Sequence, residues 1–107
     1  MDLYNELQQK IKELEISIKQ LRTSGTKYAE AERDYKVLLR HEVLKLRDEG
    51  QAIGVIDKIC YGIPAVAEAR FKRDVAKTVY TANLEAINSI KLQMRLLENQ
   101  IQREYGN

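Results

Sequence analysis

The chain has 107 residues, 44% of them apolar and 32% charged, with one Pro, five Gly and no Trp. That length holds one domain and no second independent core, and the composition suits long amphipathic helices better than a β-sandwich or a disordered tail. A net charge of +2 is too small to draw in a polyanion by bulk electrostatics, so any nucleic-acid partner has to be held by local clusters.

The first predicted element carries Tyr4, Leu7, Ile11, Leu14, Ile18 and Leu21 at gaps alternating three and four, a heptad seam. Ile and Leu alternate along it as parallel two-stranded coils prefer. A helix of under three heptads is marginal in water, so its stripe needs a partner, either the rest of the chain or a second copy. Thr23-Ser24-Gly25-Thr26 reads as the next punctuation, with Gly25 ending one helix and Ser24 or Thr26 capping another, or as a kink. A second helix is predicted from about Lys27 to Glu49, with Tyr28, Ala31, Tyr35, Leu38, Leu39 and Leu46 on one face, closed by Gly50.

Residues 51–63 form the predicted tip, a short apolar helix over 51–61 carrying Ile53, Ile56, Ile59 and Cys60 and stopped by Tyr61-Gly62-Ile63-Pro64. Pro64 suits the first turn of the last helix, which meets no further Pro or Gly before about Glu104. Its stripe is Tyr80, Leu84, Ile87, Ile90, Met94, Leu97 and Ile101, close to the coiled-coil period. The predicted fold is all-α: a single domain over 1–107, a long antiparallel helical hairpin or bundle with coiled-coil-like packing, and the short helical tip at its bend.

Cys60 is the only cysteine, which excludes an intrachain disulfide and a cysteine-rich zinc site and makes a reducing compartment the easier home. It sits in an apolar stretch and reads as core. His41, the only histidine, has no Cys, Asp or Glu four residues away, so a solvated or ion-paired side chain is the expectation rather than a metal ligand. No phosphate-binding glycine motif occurs, and carboxylates pair with lysines at i,i+4 in Glu15/Lys19, Glu32/Lys36 and Glu68/Lys72. No catalytic residue, cofactor site or metal site is predicted, and the chain reads as no enzyme. With no long apolar run it reads as a complete cytoplasmic protein with no membrane partner.

Two surface patterns remain. Arg33, Lys36, Arg40 and Arg47 share one arc of the second helix, and Arg70, Arg73 and Lys77 repeat the spacing on the last. A tip at 50–63 brings 40 near 73 and 36 near 77, where the rows either converge into a nucleic-acid surface or stay two solvated flanks. The stretch from Leu46 to Arg73 also has a helix-turn-helix outline, its short helix with Ala52, Ile56 and Ile59 turned inward. Its second helix opens with Ala65, Val66, Ala67, Glu68 and Ala69, which offer no bidentate donor to a base edge. Val37 and Leu44 lie opposite the second helix's stripe, as Leu92 and Leu96 do on the last helix. Together with Leu7, Ile11, Leu14, Ile18 and Leu21 they supply more apolar stripes than a two-layer hairpin covers, so self-association into a homo-oligomer is expected.

In AEARFKRDVA (67–76) and the 85–106 region, the chain resembles a family of small, uncharacterised helical proteins of tailed phages and prophages of Gram-positive bacteria. The resemblance implies a small phage product acting in the host cytoplasm through a host or phage protein or through nucleic acid, and it carries over no activity or site residue. Secreted helical hairpins of similar length carry a W-x-G turn, which is absent here. The expected function is therefore a non-enzymatic interaction protein that self-associates and binds a host or phage protein. A small nucleic-acid-binding protein is the alternative.

Overall fold

The computed structural model describes residues 2–106, which are 93% helical and contain no strand. Helix α1 runs Leu3–Asp48, α2 Ile53–Ile59, a 3-10 turn Cys60–Gly62, and α3 Pro64–Tyr105. The two long helices pack on each other as an antiparallel hairpin, and the chain divides into two compact units, one combining the residues up to Ser24 with those from Val79 onward, the other spanning Gly25–Thr78.

Each helix end has a local cause. Asp2 caps α1, its Oδ1 accepting the Tyr4 N–H at 2.9 Å. At the other end Gly50 takes φ +86°, its N–H donates to the Arg47 carbonyl and that of Gln51 to the Leu46 carbonyl. This pair of bonds is the Schellman arrangement that a left-handed glycine makes inexpensive. Pro64 opens α3 at the position where its missing N–H costs nothing.

The predicted helix end at 23–26 does not occur, since α1 is helical over all of Leu3–Asp48. The local hydroxyls are absorbed by the helix itself: Thr23 Oγ1 donates to the Lys19 carbonyl and Ser24 Oγ to the Leu21 carbonyl. Tertiary packing then overrides the weak helix propensity of Thr, Ser and Gly, with Ser24 only 5% exposed.

In the unit that holds both chain ends, Leu7, Ile11, Leu14, Ile18 and Leu21 are all half-buried on the α3 side of α1, so the hairpin itself occupies that seam. Tyr4 and Leu84 are exposed, and Leu3 and Asn83 take the inward positions instead. Asn83 Nδ2 donates to Ser24 Oγ at 2.8 Å and to the Gln20 carbonyl at 3.4 Å, a polar layer next to the buried Ile87. A leucine one residue later is the easier guess from hydropathy, but the 3-4 alternation through Tyr80, Asn83, Ile87 and Ile90 fits the buried face better.

In the unit that holds the tip, Tyr35, Ile56, Cys60 and Val66 form the core. Cys60 is buried, as its apolar surroundings imply. Of the three residues that the helix-turn-helix outline turns inward only Ile56 is buried, since Ala52 and Ile59 are exposed. A seven-residue helix leaves room for one core column.

Candidate functional site

The expected pairing of 40 with 73 does not occur. Arg73 stands over Tyr35, its guanidinium carbon 4.6 Å from the ring centroid, so residue 73 meets 35 rather than 40, and Lys36 falls opposite the region of 72 rather than 77.

Arg73 lies inside the seam and not on a basic face. It donates from Nε and Nη2 to Asp74 Oδ1 at 3.0 and 2.8 Å. Its pKa is raised above the ordinary arginine value, first by that hydrogen bond and then by the charges of Asp74, Tyr35 and Glu32, with desolvation acting the other way. The remaining members of the rows are dispersed. Arg33 forks onto Asp34 at 3.0 and 3.1 Å, Lys36 pairs with Glu32 at 3.8 Å, and Arg70 stacks on Tyr61 at 5.6 Å. Arg40, Arg47 and Lys77 are exposed. Arg33, Lys36 and Arg73 thus each meet a carboxylate, which lowers the positive potential a phosphate backbone would feel.

The apolar outer positions are the stronger surface feature. Val37 is 64% exposed, and Leu44, Leu92 and Leu96 are also exposed. Phe71, at 62%, begins a row continued by Val75 and Val79 at four-residue steps on α3, and Ile16, Ile53, Val55 and Tyr61 are exposed as well. The sequence singles out neither that row nor Ile16 and Val55, whereas Ile53 and Tyr61 belong to the expected apolar tip. The row's signal was the i,i+4 spacing of Phe71, Val75 and Val79 on the face away from the Tyr80/Ile87 stripe.

Two open grooves flank the helices, one in each unit. The first, about 530 Å³, is lined by Glu6, Lys10 and Glu13 of α1 and by Gln93, Leu96, Leu97 and Gln100 of α3, with Gln9 completing it. Across its floor Lys10 bridges Glu13 at 3.1 Å. The second, about 480 Å³, joins Lys27, Glu30, Ala31, Asp34 and Leu38 to Ala65, Glu68, Ala69 and Lys72. His41 is exposed on α1 beside a shallow surface formed with Leu44, Lys45, Asp48 and Glu49. Among the described residues no group of three or more His, Cys, Asp or Glu is placed to hold a metal ion, and no helix is long and apolar enough to cross a membrane.

Compared with family models, with curated proteins and with solved structures, the chain matches none. The outer helix faces therefore carry the functional reading by themselves.

Proposed function

We infer that this chain is a non-enzymatic interaction protein that self-associates and binds a host or phage protein in the bacterial cytoplasm. The observation that supports it is the set of large apolar side chains held in water on the outer faces, with Val37, Phe71, Leu92 and Leu96 each more than half exposed. Large apolar side chains held on outer helix faces are candidate contacts with other macromolecules. The phage setting comes from the resemblance in residues 67–76 and 85–106.

The test is a pull-down from host lysate, with and without nuclease, using the wild-type chain and a Val37→Asp/Leu44→Asp variant. A protein captured by the wild type, retained after nuclease and lost with the variant, is the expected result. Capture that disappears on nuclease treatment would instead favour the second reading, a nucleic-acid-binding protein. That reading draws on Arg40 and Arg47, which project from α1 one heptad apart and are both exposed.

A further inference from the structure

Three successive carbonyls of α1 each accept a side-chain donor. Thr23 Oγ1 donates to the Lys19 carbonyl at 3.2 Å, Asn83 Nδ2 to that of Gln20 at 3.4 Å and Ser24 Oγ to that of Leu21 at 3.1 Å. In an α-helix those same carbonyls are the acceptors of the Thr23, Ser24 and Gly25 amides, so three rungs of the ladder are shared. A second donor draws a carbonyl away from its amide and loosens that bond, which is how Ser and Thr bend helices. Gly25 follows at once. Glycine regains the most backbone freedom when a helix opens, so its place here lowers the cost of opening further.

The chain's two compact units divide at this point on α1, between Ser24 and Gly25, and between Thr78 and Val79 on α3. The α3 boundary carries the same feature, since Thr78 Oγ1 donates to the Asp74 carbonyl at 3.0 Å. Both long helices therefore leave one unit and enter the other through back-bonded hydroxyls. What holds α1 closed comes from across the seam within the unit that holds both chain ends, where Asn83 Nδ2 donates to the buried Ser24 Oγ at 2.8 Å. We propose that α1 hinges over residues 19–25 and α3 at Thr78, letting the two units turn independently, with Asn83 as the latch on α1. Such a hinge lets Val37 and Leu44 in one unit and Leu92 and Leu96 in the other adapt separately to what they touch. It stands apart from the reading of those faces as interfaces, because every contact in it lies within one chain.

Residual dipolar couplings and amide hydrogen exchange of the wild-type chain test the hinge. Couplings from the two units, fitted unit by unit, should require alignment tensors of different magnitude, as expected of bodies that reorient separately. After correction for intrinsic rates, the Thr23, Ser24 and Gly25 amides should exchange at least about tenfold faster than those of Ile18 and Tyr28. Thr23 is exposed, so Thr23→Ala removes one back-bond without touching the core and should slow that exchange about threefold. Asn83→Ala should speed it about fivefold and leave the Tyr35 and Leu38 amides unchanged. One tensor magnitude for both units would overturn the hinge, as would even protection from Ile18 to Tyr28. Fast exchange at 23–25 that Asn83→Ala leaves unaltered would overturn the latch. Because the couplings and the first exchange profile use the wild-type protein, the hinge is tested whether or not a variant folds.

Discussion

The Arg73 guanidinium carbon sits 4.6 Å from the centroid of the Tyr35 ring, and Tyr35 is only 6% exposed, so an arginine from one long helix caps the buried tyrosine of the other. Replacing Arg73 with Ala removes the cation–π contact, the fork onto Asp74 and the packing of the aliphatic stem, and should cost about 1–2 kcal/mol. Arg73→Lys should recover only part of it, since an ammonium cannot stack. Urea denaturation of the three proteins reads the difference. Equal midpoints would show that the contact contributes nothing.

The same residue fixes a pH expectation. A cation whose pKa is raised on folding contributes stability that is complete below its unfolded pKa and lost as pH rises through the folded one. For Arg73, whose pKa is raised above the ordinary arginine value, that window lies at strongly alkaline pH, so the stability difference between wild type and Arg73→Ala should stay constant from about pH 6 to 9. A difference that shrinks across that range would place the effect on another group.

Asn83 and Ser24 should be energetically coupled. Their hydrogen bond is 2.8 Å long and half-shielded from water, and a double-mutant cycle through Ser24→Ala and Asn83→Ala should return about 0.5–1.5 kcal/mol. Because a lone polar layer disfavours other alignments of an apolar seam, the double variant should also show broader amide resonances than the wild type. A coupling near zero would reduce this layer to two independent polar groups.

Core and outer positions should separate cleanly. Val66 is fully buried, and Val66→Ala should destabilise by roughly 1.5–3 kcal/mol through lost burial and the cavity left behind. Gly50→Ala has open space for its methyl group but keeps φ +86°, so it should cost about 1 kcal/mol from backbone strain alone. Val37→Ser should change stability by less than ~0.5 kcal/mol at concentrations where the chain is monomeric. A Val37→Ser penalty equal to that of Val66→Ala would contradict the burial pattern.

The helical fold was legible because period and punctuation agree over most of the chain. Leu7 to Leu21, Tyr28 to Leu46 and Ile87 to Ile101 are regular stripes, and Gly50 and Pro64 stand where they end a helix and begin one. Thr23-Ser24-Gly25-Thr26 misled because local propensity has no knowledge of Asn83, whose amide reaches Ser24 across the seam. Arg73 misled for a related reason. An arginine in a basic row reads as solvated until the turn fixes the register and sets an aromatic ring opposite it. The outer faces were half legible: Val37, Leu44, Leu92 and Leu96 stand out against polar neighbours, whereas Phe71, Val75 and Val79 blend into a sequence of small apolar residues. No spacing in the chain specifies what those faces touch, since complementarity belongs to two surfaces and one sequence describes one of them.

Multi-angle light scattering of the wild-type chain at micromolar concentration tests the central claim most directly. A self-associating interaction protein should return a mass of at least twice 12.4 kDa, falling toward the chain mass on dilution. A constant 12.4 kDa across the concentration range would contradict it.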